Sequence, residues 1–231
     1  MDIFLLKSKN RISEKKGAFN IHYCYDKEKN NLSVENYFKN LVSIKDFEIK
    51  PNMGILPHKH KNIELITFLI EGKLTQKNNL GETYHLASGN MQIMSAGTGV
   101  SHFEYNESTE TTLNCIQFSI APHINYTKPK NHILTIETNK TGLQEVIPYQ
   151  TDTANPKVMQ DIYLHYGFLE TNTQQTYPLK NTEKGILILN ISGEMTVNGE
   201  VLEHRDTLVL KNIPELKITS NTAARFLLFE I

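Results

Sequence analysis

The sequence predicts an all-β protein built from two small barrels, and three observations favour this class. Short runs rich in β-branched and aromatic residues, such as residues 63–70, recur at roughly ten-residue spacing between Gly, Asn and Ser turn signals. The same pattern appears twice along the chain, whereas long amphipathic helical patterns are hard to find. The 231 residues suffice for one large or two small domains, at roughly 150 residues per domain.

The first barrel is predicted from its alternation and its turns. Residues 38–50 alternate apolar and polar positions, like an edge strand, and end at Pro51. Glu71-Gly72 turns the strand at 63–70 into the next one. Further strands are predicted at 73–77, 91–94 and 112–120, with turns at 78–81 and 88–90.

The second half repeats this organisation. Residues 185–196 align with residues 64–75 at an offset of 121, which places Gly193 on Gly72. Asn198-Gly199 is a hairpin signal, and after this shorter turn Asp206-Thr207 aligns with Asn90-Met91 at an offset of 116. A repeat this long indicates two related domains, because solenoid repeats run about 20–50 residues.

The proline-rich stretch between the two halves divides the chain. It carries Pro122, Pro129, Pro148 and Pro156. We therefore expect an amino-terminal barrel over residues 1–120, a connecting segment over 121–157 and a carboxyl-terminal barrel over 158–231. One short helix or an added strand is expected near residues 141–146.

Composition excludes several classes of partner. The 24 Lys and Arg residues balance 25 Asp and Glu residues, so no electrostatic attraction to nucleic acid or to an anionic membrane is expected. Only two cysteines, Cys24 and Cys115, are present, which suits a reducing cytosol better than a disulfide scaffold. No apolar run approaches the roughly 20 residues of a membrane-spanning helix. We expect a soluble cytoplasmic protein.

Two pairs of potential metal ligands stand at strand spacing in the first half. His58 and His60 form a His-x-His pair, and His102 and Glu104 form a His-x-Glu pair. Because strand side chains alternate faces, each pair presents both groups on one side. Adjacent strands would bring the four ligands to one divalent first-row metal with open positions, as in a catalytic site.

Simpler roles compete with this interpretation. A His-x-His pair by itself is more often a surface feature than a metal site. Only when both pairs are considered together do the two interpretations become about equally probable. Glu64 could orient a ligand imidazole or equally face solvent. The remaining histidines have no partner at ligand spacing and are expected at the surface or in turns: His22, His85, His123, His132, His165 and His204.

The internal repeat provides a control for the ligand set. The two offsets carry the four candidate ligands onto residues that cannot form the same site: Leu179, Asn181, Ile218 and Ser220. One metal per chain is therefore predicted, in the amino-terminal barrel.

Taken together, these segments resemble the pirin family. The resemblance is carried by Pro57–Glu64, Phe68–Gly72, Leu80-Gly81 and Gly89–Glu104. Its most specific part is Gln92–Glu104, where a Met-Ser-Ala-Gly-Thr-Gly core leads into His-x-Glu. It spans most of the chain and is strongest over residues 51–120.

The resemblance implies a fold, a cofactor and an activity. Pirins have two stacked cupin (jelly-roll) β-barrels, a bicupin, with one metal in the amino-terminal barrel. The family's three histidines and glutamate match His58, His60, His102 and Glu104. Iron is the expected metal, with Ni, Cu, Zn, Mn and Co as alternatives. Several members show quercetin 2,3-dioxygenase activity, and others are described as regulators.

Two departures from the family pattern bear on the substrate. Lys59 stands where the family often has Pro. The Trp-bearing segment typical near the amino terminus is missing, and residues 18–26 occupy that region. Because that segment walls the pocket in relatives, the metal site is expected to be retained more firmly than flavonol specificity.

The leading functional hypothesis is a dioxygenase acting with dioxygen on a flavonol-like substrate, with Glu104 as the general base. An apolar lining is expected from Phe68, Met91, Met94 and Phe103, although packing in the core would explain these residues equally well. The alternatives are a non-enzymatic metal-binding regulator with a protein partner, and an isomerase or hydrolase using the metal as a Lewis acid. A monomer is expected.

Overall fold

The computed structural model describes residues 2–29, 38–147 and 158–231, and its architecture is almost entirely β. A short 3₁₀ turn at Ser8–Asn10 is the one helical element among the described residues. The strands up to residue 120 are β1 (Asp2–Leu6), β2 (Ile12–Lys15), β3 (Phe19–Asp26), β4 (Leu41–Ile49), β5 (Gly54–His60), β6 (Glu64–Glu71), β7 (Lys73–Asn78), β8 (Thr83–Ala87), β9 (Asn90–Ser95), β10 (Val100–Asn106) and β11 (Leu113–Ile120).

Ten further strands follow in the described part of the carboxyl half. They are β12 (Lys130–Thr135), β13 (Gly142–Ile147), β14 (Tyr163–Leu169), β15 (Gln174–Pro178), β16 (Ile186–Ser192), β17 (Met195–Val197), β18 (Glu200–Leu202), β19 (Thr207–Lys211), β20 (Glu215–Ser220) and β21 (Ala224–Glu230). No described helix is both long and apolar enough to span a membrane.

Each barrel consists of a large and a small antiparallel sheet. The amino-terminal barrel pairs a seven-stranded sheet, β12-β9-β6-β11-β4-β3-β2, with a four-stranded sheet, β5-β10-β7-β8. The carboxyl-terminal barrel pairs a six-stranded sheet, β1-β19-β16-β21-β14-β13, with a four-stranded sheet, β15-β20-β17-β18. The matching order of the small sheets confirms the internal repeat and the bicupin fold.

The two large sheets pack against each other and share the largest core. Buried residues from both barrels form one cluster, in which the Phe118 and Phe229 ring centroids are 4.1 Å apart. Phe68 meets Tyr166 across the same boundary, with ring centroids 5.5 Å apart. Because apolar burial supplies most of the favourable free energy of folding, this shared core fixes one barrel upon the other.

Several sequence predictions need correction at the level of strands. β4 is not an edge strand, because it pairs with β11 on one side and β3 on the other. β1 pairs with β19, so residues 2–6 lie in the carboxyl-terminal barrel and not in the amino-terminal barrel predicted for 1–120.

The described part of the predicted connecting segment, 121–157, serves both barrels. It supplies β12 to the amino-terminal sheet, and β13, a strand where a helix or a strand was expected, to the carboxyl-terminal sheet. Residues 148–157 lie outside the described residues, so the segment's limits stay a prediction.

The repeat offset also needs correction at the histidine positions. In the carboxyl barrel Ile218 faces Gln175 and Leu216 faces Tyr177, as His102 faces His58 and Val100 faces His60. Gln175 and Tyr177 are therefore the equivalents of the two histidines, four residues before the predicted positions. The loop between β15 and β16 is longer than its counterpart between β5 and β6, which shifts the alignment. The corrected equivalents of the four candidate ligands still contain no pair of metal-binding side chains: Gln175, Tyr177, Ile218 and Ser220.

Candidate metal centre

The predicted ligand pairs lie on neighbouring strands of the small amino-terminal sheet. β5 and β10 are antiparallel partners, and His102 stands directly opposite His58. Burial along β10 alternates strictly, so Val100, His102 and Glu104 all point into the barrel while the residues between them are half-buried. This alternation is the period-two pattern that the sequence predicts.

Three imidazoles converge at the barrel mouth. The ligand nitrogens of His58, His60 and His102 lie within 4.8 Å of one another. His102 Nε2 is 3.0 Å from His58 Nε2. Two nitrogens that are each about 2.1 Å from one ion, at right angles, lie about 3.0 Å apart. By this geometry the three histidines could hold one divalent metal ion.

The hydrogen bonding of the imidazoles fits metal binding. His58 Nδ1 is 2.9 Å from the carbonyl oxygen of Leu56. Because a carbonyl only accepts, Nδ1 carries the proton and the His58 Nε2 lone pair faces the cluster. His60 Nε2 is buried without a hydrogen-bond partner, as expected of an atom reserved for a ligand that is not a protein group.

Electrostatics keep two of these rings neutral. Burial, together with the nearby His58, lowers the pKa of His60 to about 4. The same two causes lower the pKa of His102 to about 3. Since only the neutral imidazole binds a metal, both rings are in the binding form at physiological pH.

Glu104 lies on the inward face beside the histidines but has a protein partner. Its side chain is buried, and Gln76 Nε2 donates to its Oε1 over 3.4 Å. Burial raises the pKa of Glu104 above its ordinary value, while His58 and the Gln76 hydrogen bond oppose that rise. The compact nitrogen cluster consists of the histidines, so the role of Glu104 as a ligand and base stays a prediction.

A buried amide chain, which sequence reasoning missed, supports this carboxylate. Gln92 Nε2 donates to Gln76 Oε1 over 2.8 Å, so the Gln76 amide group must turn its Nε2 toward Glu104. Gln117 Nε2 donates to Thr67 Oγ1 over 3.1 Å on the adjoining strands of the large sheet. A polar residue inside an apolar strand is the signal that could have found Gln92 and Gln117, whereas Gln76 lies in the mostly polar β7 and gives no such signal.

Lys45 is a further residue that the sequence did not reveal. It lies opposite Gln117 on β4, so its side chain shares the inward face with the amide chain. Its charge contributes to the lowered pKa of His60, after burial and the effect of His58. The barrel interior therefore places the Lys45 ammonium group near the histidine cluster.

The predicted apolar lining is wrong for three of its four residues. Phe68 and Met91 belong to the core between the barrels, on the opposite face from Gln92. Phe103 is half-buried between His102 and Glu104, so it too faces away from the metal centre. Met94 does face inward, and it packs against Leu65 and Val100.

Two further polar residues have roles that the sequence did not predict. Glu64 neither faces solvent nor contacts a ligand imidazole: its buried Oε2 accepts hydrogen bonds from Ser95 Oγ at 2.6 Å and from the Met159 backbone N–H at 3.1 Å. His165 is not a surface or turn residue but is buried on β14, 5.0 Å from the Tyr177 ring centroid.

Comparison with known proteins agrees with this fold. The profile of the family described as Pirin matches residues 13–120, and that described as the quercetinase C-terminal cupin domain matches residues 146–231. The quercetin 2,3-dioxygenase of Escherichia coli (strain K12) is 29% identical over 194 residues, 84% of this chain and 83% of the relative. A pirin-like protein of Caulobacter vibrioides is 30% identical over 197 residues, 80% of each chain.

A solved structure extends the likeness to the whole chain. The bacterial pirin YhhW from Escherichia coli, in complex with nickel(II), superposes with a TM-score of 0.90 at 26% identity and covers 100% of this chain and 99% of that one. The fold, the three-histidine cluster and the sequence matches agree, and this chain belongs to the pirin family.

Proposed function

We propose that this protein is a metal-dependent dioxygenase that cleaves a flavonol-like substrate, of the quercetin type, in its amino-terminal barrel. The observation that carries the proposal is the convergence of His58, His60 and His102 at the barrel mouth. The relative named quercetin 2,3-dioxygenase supports the choice of reaction.

In this proposal Glu104 completes the ligand set with the three histidines. Iron is the expected metal, and the nickel(II) complex of the related pirin supports a divalent ion. When bound, the ion supplies positive charge for a deprotonated substrate hydroxyl and redox chemistry toward dioxygen.

The proposed base is the Glu104 carboxylate. Burial raises the pKa of Glu104 above its ordinary range, which brings its proton affinity closer to the value useful at neutral pH. Gln76 occupies Oε1, so Oε2 is the oxygen that would switch between metal ligand and acceptor of the substrate hydroxyl proton. The carboxylate is thereby held in one orientation during proton transfer.

Lys45 and the apolar residues complete the substrate site. The Lys45 ammonium group would attract the substrate anion, because opposite charges in a partly buried site are poorly screened. Leu65, Met94 and Val100 form a buried apolar wall that would exclude water from the reacting ring.

The test begins by mixing metal-loaded protein with quercetin under anaerobic conditions, followed by the addition of oxygen. The expected result is release of carbon monoxide with a depside product, lost in His102→Ala and retained in His22→Ala. Turnover that needs no oxygen would point instead to an isomerase or hydrolase. Equal turnover by His102→Ala would contradict the assignment of the site.

A regulatory role is the second candidate. Leu56, two residues before His58, is 82% exposed and gives the metal-bearing edge an apolar contact for a protein partner. No turnover on any flavonoid, together with a stoichiometric partner in a pull-down that Leu56→Glu abolishes, would favour this role.

Both cysteines are free and buried, which supports a cytoplasmic location.

A further inference from the structure

A second polar cavity lies between the two barrels, away from the metal centre. The cleft has a volume of about 480 Å³. Asp46 and Asn114 line it from β4 and β11, and Arg205 and Arg225 line it from the carboxyl-terminal barrel. Asp46 follows the inward-facing Lys45 on its strand, so it points out of the amino-terminal barrel and toward the other one.

The floor of the cleft carries more positive than negative charge. Asp46 Oδ2 is 3.0 Å from Arg11 Nη1 and 3.1 Å from Arg205 Nε. The side chains are almost enclosed, with exposed fractions of 12% for Arg11, 7% for Arg205 and 5% for Asp46. Because guanidinium groups stay protonated, two cations share one carboxylate and one positive charge is left over.

The other charged groups that line the cleft stand nearer its rim: Glu48, Glu71 and Arg225. Burial and the adjacent Arg205 lower the pKa of His204, so this ring is neutral at physiological pH. Glu48, whose side chain is 43% exposed, accepts a hydrogen bond from Asn20, and Glu71 is also exposed. Over the whole lining three arginines face three carboxylates, so the excess positive charge is confined to the buried floor, where solvent screens it least. Within the described residues Arg225 makes no ion pair, and its Nη2 donates to the neutral Asn139 over 2.9 Å.

Hydrogen bonds hold the guanidinium groups in fixed directions. Arg205 Nη2 donates to Asn114 Oδ1 over 2.6 Å, and its Nη1 donates to the Ile191 carbonyl over 3.2 Å. Arg205 also has a φ of 65°, in the left-handed region that side-chain-bearing residues rarely adopt. Asn114 is itself anchored through its Nδ2 to Asp46 Oδ1 at 2.8 Å. The arrangement is preorganised before any ligand arrives.

Arg11 retains unused donors. Its Nε donates to the Ser8 carbonyl and its Nη1 to Asp46 and to Cys24 Sγ. Across the described part of the chain, Arg11 Nη2 has no hydrogen-bond partner. A planar guanidinium with free N–H groups, facing excess positive charge, matches the oxygens of a carboxylate or a phosphate.

From the buried positive charge at the floor and these free donors, we propose that the cleft between the barrels binds a small oxyanion, a carboxylate or a phosphate group, held by Arg11 with Arg225 at the rim. This site is independent of the metal centre and of the proposed oxygenase reaction. A bound anion would contact Arg11, beside the amino-terminal barrel, and Arg225 of the carboxyl-terminal barrel, and would thereby link the two barrels.

An internal counter-ion is the main rival to this proposal. Cys24 Sγ lies 3.4 Å from Arg11 Nη1, and a thiolate there would cancel the extra charge. Burial, however, raises the pKa of the Cys24 thiol despite the neighbouring arginine. The thiol is therefore neutral at physiological pH, and the positive charge remains for an external anion.

The test is isothermal titration of the metal-loaded protein with inorganic phosphate and, separately, with malonate, at an ionic strength held constant with chloride. One-to-one binding is expected for at least one probe, and the tighter probe assigns the phosphate or the carboxylate class. Arg11→Gln should weaken that binding between about tenfold and a hundredfold, since a charge-assisted hydrogen bond is lost. Arg11→Lys keeps the positive charge but loses the planar set of guanidinium N–H donors, so it should weaken anion binding less than Arg11→Gln does.

Matched variants separate the cleft from other sites. Lys217→Gln removes an exposed positive charge and should leave the affinity unchanged, and His102→Ala should also leave it unchanged if the anion does not bind the metal. Absence of binding by both probes, or equal affinity in Arg11→Gln and wild type, would overturn the proposal. Binding that appears only after Cys24→Ala would show that the thiolate is the counter-ion and would overturn it as well.

Discussion

At the scale of single residues, Gln76 decides which oxygen of Glu104 is free. Gln92 fixes the orientation of the Gln76 amide, and Gln76 in turn holds Glu104 Oε1. Because each amide both donates and accepts, the hydrogen bonds from Gln92 through Gln76 fix the orientation of the Glu104 carboxylate without adding a charge. The position of Glu104 therefore depends on side chains that are not metal ligands.

This dependence predicts a loss of metal affinity in Gln76→Leu. Partners that orient a ligand typically contribute about 10- to 100-fold in metal affinity, and we expect a loss in that range. The measurement is competition with a chromophoric chelator. Gln117→Leu is the matched control, because Gln117 bonds Thr67 and not Glu104. Equal affinities for the two variants would contradict a positioning role for Gln76.

Glu64 predicts a pH dependence of stability. Burial raises its pKa above 4.5 in the folded protein, against the opposing hydrogen bond from Ser95. As the pH rises through the ordinary value, the unfolded chain ionises first, so stability is lost until the folded carboxyl ionises too. Glu64→Gln should therefore increase the free energy of unfolding at pH 7 and leave it nearly unchanged near pH 4. Urea denaturation at both pH values measures this, and an equal effect at both would contradict it.

The sequence predicted the histidines better than their surroundings. His58 and His60, like His102 and Glu104, stand two apart in strands, and alternation alone places each pair on one face. Alternation does not reveal which face is the interior, which is why Phe68 was assigned wrongly. Gln76 carries no spacing signal, because its partners come from other strands.

At the scale of elements, the tight turns after β6 and β16 show what the repeat conserves. Gly72 has a φ of 93° and Gly193 a φ of 81°, and the offset of 121 aligns them. On the preceding strands, β5 and β15, the same offset is wrong by four residues. The reason is that the loop before β16 is longer than the loop before β6. Loop lengths vary between related barrels more readily than strand pairings do.

The turn at Gly193 predicts a steric penalty. A Cβ atom at Gly193 would lie 2.1 Å from the Ala223 carbonyl oxygen, whereas at Gly199, with a φ of 92°, it would meet nothing within 4 Å. Gly199→Ala should cost about 1 kcal/mol of stability for its left-handed backbone alone. Gly193→Ala adds the clash and should cost more, up to about 3 kcal/mol. Thermal unfolding of both variants measures the difference, and equal costs would contradict the close approach.

At the scale of the whole molecule, the two barrels share a core, and the first strand of the chain belongs to the carboxyl-terminal barrel. Phe118 of the amino-terminal barrel packs on Phe229 of the other, and β1 crosses into the carboxyl-terminal sheet. The repeat in the sequence predicts two units, but it carries no information about the surface between them. That surface, including the arginine cleft, depends on contacts between distant segments.

The shared core predicts that both barrels unfold together. Phe118→Ala removes a buried aromatic ring and should cost about 3–5 kcal/mol. Because the cluster draws on both large sheets, calorimetry should show one transition at a lower temperature. Two separated transitions, with only the amino-terminal barrel destabilised, would contradict a common cooperative unit.

Two pairs of residues, His58 with His60 on β5 and His102 with Glu104 on β10, are expected to hold one metal ion. Elemental analysis of protein purified without chelators tests it most directly. Wild type and His22→Ala should each contain about one transition-metal ion per chain, while His58→Ala/His102→Ala should contain almost none. A wild-type protein free of metal, or a double variant with an undiminished metal content, would contradict the account.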